Sequence, residues 1–164
     1  MVKLVDSTLW IPLIGKLFIA FGGIERTSHS CIREWAGDGI HKHFAKLSLS
    51  LRLNLAADLA ESQNVSESTQ DAFRKALKEV RTLSQYRNLV AHNPLCLVFL
   101  QRDLDTTMLE AIASNVNDKH LTLKELTEIV ALAEACDEDF LSAFVAFRVE
   151  GMDFESLKHF PGLS

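Results

Sequence analysis

Between Thr8 and Ala36 the apolar residues Trp10, Leu13, Leu17, Phe21, Ile24, Cys31 and Trp35 return at spacings of three, four or seven. That period lays one apolar stripe along an α-helix and is incompatible with the alternation of a half-buried strand. A helix this long with a continuous stripe has to be covered by other elements along its length, so a helical architecture is the expectation from the outset. Asp6 or Ser7 is placed to cap it, and Pro12 falls early enough to be tolerated near the first turn. Gly22-Gly23 interrupts the middle, where each glycine costs about 1 kcal/mol relative to alanine. The pair reads either as a kink or as close approach of another backbone, including that of a second subunit.

The same period recurs downstream. Gly37-Asp38-Gly39 breaks the first helix, and a second is predicted over 41–62. It carries two apolar faces, Phe44, Leu47, Leu51, Leu55 and Leu59 on one and Leu49, Leu53, Ala56 and Ala60 on the other, the pattern of a helix central in a bundle. A third helix over 68–92 has the stripe Phe73, Ala76, Leu77, Val80, Leu83 and Val90. After Pro94 the pattern changes to a short apolar run, a polar stretch and a second apolar run, read as a β-hairpin over 95–116, although residues 107–116 also fit a short helix. Thr122 followed by Glu125 forms a capping box ahead of a last helix over 122–149. Its stripe is Leu126, Ile129, Val130, Ala133, Phe140, Phe144 and Phe147. The segment after Gly151 is expected to be irregular or a short helical turn.

At 164 residues with 48% hydrophobic content, the chain is long and apolar enough for one globular domain spanning 1–164. Three widely spaced cysteines, Cys31, Cys96 and Cys136, suggest reduced thiols and no disulfide framework. Lys16 and the Glu25-Arg26 pair break up the apolar stretch of the first helix, and no signal-peptide pattern is present. The expected location is the cytoplasm, away from membranes. The net charge of −5 excludes a broad phosphate-tracking surface; any contact with nucleic acid has to be local.

The chemistry concentrates in Gln85-Tyr86-Arg87-Asn88-Leu89-Val90-Ala91-His92-Asn93-Pro94, the close of the third helix. Arg87 is a permanent planar cation suited to phosphate, and His92 is a proton carrier near neutral pH. Arg87 lies seven residues past Val80, so it leaves the helix on the core side and needs a partner or an anionic ligand; Glu25 is the best partner. Five residues separate Arg87 from His92, roughly 140° apart on an unbroken helix. Asn93 precedes proline, which disfavours α geometry, so the helix is expected to fray around Ala91 or His92 and let the imidazole swing toward the arginine. Asn88 and His92, four apart, can meet on the last turn.

Arg87, Asn88 and His92, spaced Arg-Asn-x-x-x-His at the end of a third long helix, resemble the motif of the HEPN domain (higher eukaryotes and prokaryotes nucleotide-binding). The helix order across residues 8–149 extends the resemblance, though the short motif is its specific part. The resemblance implies a four- to five-helix bundle that dimerises with two motifs facing each other. It also implies a metal-independent endoribonuclease, such as a toxin or phage-defence effector, with Arg87, Asn88 and His92 catalytic, no cofactor, an RNA substrate, and an antitoxin or regulator as a further partner. Glu25, as the expected partner of Arg87, is a supporting candidate from its place on the first helix. The alternative it carries is a catalytically inactive dimer that binds a nucleotide or a partner.

Other constellations are weaker. His29-Ser30-Cys31 and His41-Lys42-His43 lack the clustering of a zinc site, so no metal is expected. Asp137-Glu138-Asp139 reads as a solvated face. Gly22-Gly23 and Gly37-Asp38-Gly39 lack the following Lys-Ser/Thr of a phosphate loop, which argues against a nucleotide hydrolase.

Overall fold

A computed structural model describes residues 5–102 and 105–152. The order is α1 (Trp10–Phe44), α2 (Leu49–Glu61), α3 (Glu67–His92), β1 (Leu95–Arg102), β2 (Asp105–Ala113), β3 (His120–Thr122) and α4 (Leu123–Gly151). The protein is mainly α with one small antiparallel sheet of order β1-β2-β3. The expected hairpin is present, and its second arm is strand, not helix, as far as Ala113. Pairing runs from Leu95↔Ile112 to Arg102↔Asp105, and β3 adds Ala111↔Thr122, Ile112↔Leu121 and Ala113↔His120. The third strand was not expected, since three residues are too few to show a period.

Two boundaries differ from expectation. Gly37 does break α1, with φ 82° and ψ 163°, a conformation open essentially to glycine alone; helix resumes at once and runs to Phe44. The second helix therefore does not start at His41. It starts at Leu49, where the Ser48 hydroxyl accepts the Leu51 N–H at 3.4 Å. The apolar spacing Phe44–Leu47–Leu51 crosses that junction without interruption, so period alone hid it. At the start of α1 the Asp6 carboxylate accepts the N–H and hydroxyl of Thr8, and the Ser7 carbonyl accepts from Trp10 and Ile11. The expected capping box at α4 is complete: Glu125 accepts from the Thr122 N–H at 2.8 Å and hydroxyl at 2.7 Å, and the Thr122 hydroxyl accepts the Glu125 N–H at 3.3 Å. Of the tail expected to be irregular, residues 153–164 lie outside the described residues.

The described residues form two compact units, one drawn from within 1–25 and 78–138, the other from within 26–77 and 139–164. The first buries Trp10, Leu17, Phe21 and Ile24 of α1, Val80, Leu83 and Val90 of α3, Ala111, Ile112 and Leu121 of the sheet, and Leu126, Val130 and Ala133 of α4. Burial of that many apolar groups, with each valine, leucine, isoleucine and phenylalanine contributing about 1.5–3 kcal/mol when fully covered, is what holds the sheet and the motif-bearing end of α3 together. The second unit centres on an aromatic cluster. Trp35 meets Phe73, Phe144 and Phe147 edge-on or tilted at 5.2 to 5.7 Å, and Phe73 also meets Phe140 and Phe147. Arg52 is buried there, donating from Nε to the Ser28 hydroxyl at 3.1 Å and from Nη1 to the Leu47 carbonyl, which ties the 45–48 turn to α2.

The Gly22-Gly23 pair sits in regular helix. A Cβ at Gly23 would collide with the Asp137 carboxylate, so a side chain of the same chain explains that glycine. Gly22 faces open space. Asp137 is half-buried over the helix, not part of a solvated acidic face as its neighbours are.

Candidate functional site

The expected fraying at the end of α3 does not occur. The helix holds through His92 because the Asn93 side-chain amide donates to the Leu89 carbonyl at 2.9 Å and caps the last turn. With the helix intact, Arg87 and His92 keep their wide angular separation, and the three motif residues divide between two surroundings.

Arg87 turns toward α1. Its Nη2 stands 3.5 Å from Glu25 Oε1, its guanidinium carbon lies 5.6 Å from the centroid of the Phe18 ring, and its Nη1 donates to Asn88 Oδ1 at 3.3 Å. The Arg87–Glu25 pairing is the one expected from the sequence. Both side chains are about one-third exposed, and the Arg87 Nε is buried without a hydrogen-bond partner. Phe18 was not anticipated, although its seven-residue spacing from Glu25 places both on one face of α1.

Asn88 and His92 share a face, as their four-residue spacing predicts, and line a solvent-open groove of about 1010 Å³. Gln85, Tyr86 and Asn93 continue the α3 wall; the 114–119 loop, His120 and the first turns of α4 form the other. Arg87 is not among the lining residues. The opposing loop is shaped by its own polar groups: Ser114 N–H donates to the Lys119 carbonyl at 2.9 Å, the Ser114 hydroxyl accepts the Val116 N–H, and Asn117 Oδ1 accepts the Lys119 N–H. His120 Nδ1 stands 3.3 Å from the Asp118 carbonyl oxygen. Glu125 also lines the groove, its carboxyl held below the ordinary carboxylate range by the N–H and hydroxyl of Thr122, with the charge of nearby His120 a smaller contribution.

His29 and His41, dismissed as scattered in the sequence, are hydrogen-bonded across the Gly37 break, Nδ1 to Nε2 at 3.1 Å. Among the described residues no group of three or more His, Cys, Asp or Glu is placed to hold a metal ion. Cys31 is buried, which raises its thiol well above the ordinary value and keeps it protonated and inert. No helix among the described residues is long and apolar enough to cross a membrane. No family model, curated protein or solved structure matches this chain at a significant level.

Proposed function

We propose that this protein is a metal-independent endoribonuclease of the HEPN type, a helical-bundle homodimer acting as a toxin or phage-defence effector. The observation that carries the reading is the placement of the motif. Asn88 and His92 present a hydrogen-bonding amide and an exposed imidazole to one groove, and a guanidinium adjoins them through the Arg87–Asn88 contact.

The RNA supplies its own nucleophile, the 2′-hydroxyl beside the scissile phosphorus, so the protein has to orient, move protons and stabilise charge. His92 takes the 2′-hydroxyl proton, worth on the order of 10²–10⁴ in rate. Arg87 holds the non-bridging oxygens as charge builds on them, and Asn88 links it to the groove. Glu25 and Phe18 keep the guanidinium from collapsing elsewhere. The products are a 2′,3′-cyclic phosphate and a 5′-hydroxyl, and DNA is spared. Incubation of pure protein with RNA in EDTA tests this: cleavage to those ends is expected, and abolition by the chelator removes the mechanism.

One observation favours a second reading, a catalytically silent module that binds a nucleotide or a partner. Arg87 is engaged by Glu25 and Phe18 and does not line the groove. Expression in a host separates the two. A working ribonuclease slows growth and Arg87→Ala relieves it, whereas equal growth of both forms without an antitoxin selects the module.

A further inference from the structure

Cleavage by a 2′-hydroxyl needs two proton transfers, and the motif of each chain holds one imidazole, His92. The bond from phosphorus to the 5′-oxygen breaks to an alkoxide, a poor leaving group unless an acid protonates it as it departs. The chain carries a second imidazole on the same groove, at the end of the strand the sequence did not reveal.

Its position follows from the sheet register. The Ala113 N–H donates to the Pro94 carbonyl at 3.2 Å, and Ala113 pairs with His120, so Pro94, Ala113 and His120 form a row straight across the sheet end. Neighbouring strands lie about 4.8 Å apart, which puts the His120 backbone roughly 10 Å from Pro94, two residues beyond His92. Ala113 fills the middle of that row, and the groove lies beside it, with His92 on the α3 wall and His120 on the facing one, either side of the space a substrate strand would take. A carbonyl accepts and never donates, so the hydrogen bond to the Asp118 oxygen requires the proton on His120 Nδ1. This selects the tautomer in which Nε2 is the site that gains and loses a proton.

We propose that His120 is a second catalytic residue of this groove, the general acid that protonates the departing 5′-oxygen while His92 serves as the base. The inference rests on the ribonuclease reading above. In the step, the 2′-oxygen bonds to phosphorus and its proton passes to the His92 imidazole. The phosphorus–5′-oxygen bond breaks, and the oxygen takes the Nε2 proton of the His120 imidazolium. His92 ends one proton richer and His120 one poorer, and exchange with water resets both. The neutral His120 left behind is the Nδ1–H tautomer that Asp118 already selects.

The test compares an ordinary RNA linkage with one carrying sulfur at the bridging 5′ position, because a thiolate leaves without a proton. On the ordinary linkage His120→Ala is expected to lose about 10²–10⁴ in rate; on the 5′-thio linkage it should regain most of that loss. His92→Ala should stay slow on both. His120→Asn, whose amide can still donate to the Asp118 carbonyl, is expected to behave like His120→Ala and serves if the alanine variant does not fold. Loss of rate on both linkages in a folded His120 variant overturns the acid role, as does unchanged cleavage of the ordinary linkage. Wild-type protein that cuts neither substrate fails the ribonuclease reading itself, a distinct result.

Discussion

At residue scale, Arg87 shows how one side chain answers two demands. Its stem leaves a buried stripe, and Glu25 with Phe18 meets the charge at the surface of α1. The Arg87–Glu25 contact is long and partly exposed, so its contribution is that of a screened pair, at most about 1 kcal/mol. Arg87→Ala is therefore expected to leave thermal unfolding nearly unchanged while lowering RNA cleavage by about 10²-fold or more, the scale of losing a charge-stabilising donor. An equal drop in stability and activity makes Arg87 a structural residue instead. The Glu25 pairing was readable from the sequence, because spacing along two stripes predicts which residues flank a core. The side of the helix on which Arg87 and His92 finish was not: it turned on whether Asn-Pro frays the last turn or Asn93 caps it, a difference of one side-chain hydrogen bond.

At the scale of elements, caps and breaks carry the predictions. Thr122→Ala removes the two bonds of the Thr122 hydroxyl, keeps the one from its backbone N–H to Glu125, and is expected to cost about 1 kcal/mol, measured by denaturant unfolding. Glu125 titrates below its ordinary 4.5, so its bond to Thr122 stabilises fully above that value and is lost as the pH falls through the lowered one. The stability difference between wild type and Glu125→Gln should accordingly be present at neutral pH and shrink in acid. Gly37→Ala is expected to destabilise by about 1–3 kcal/mol, since its backbone lies where a Cβ is strained. The capping box was visible because its two residues are neighbours in the chain. The β3 strand was invisible because its pairing with β2 is the whole of its identity.

For the molecule as a whole, charge and packing set what can be measured. A net charge of −5 with one local contact implies that few phosphates are neutralised. RNA affinity should fall shallowly with salt, with a slope of about −0.7 for each phosphate contacted on a single strand. A steep slope from many contacts contradicts the local groove. In the second unit Phe73 is fully buried among Trp35, Phe140 and Phe147, and Phe73→Ala is expected to cost about 3–5 kcal/mol in unfolding free energy. By itself the sequence determined four helical regions, the buried stripes of α1, α3 and α4, the hairpin and the residues able to move a proton or hold a phosphate, because periodicity, caps and side-chain chemistry are local properties. Of the two apolar faces expected on the second helix only that of Leu53, Ala56 and Ala60 is buried, and Leu51 on the other is half exposed. Tertiary structure alone decided that Asn88 and His92 open onto a groove while Arg87 turns to α1, and that His120 stands on the facing wall. Those placements depend on strand register, a held helix end and partners far away in sequence, none of which a local pattern encodes.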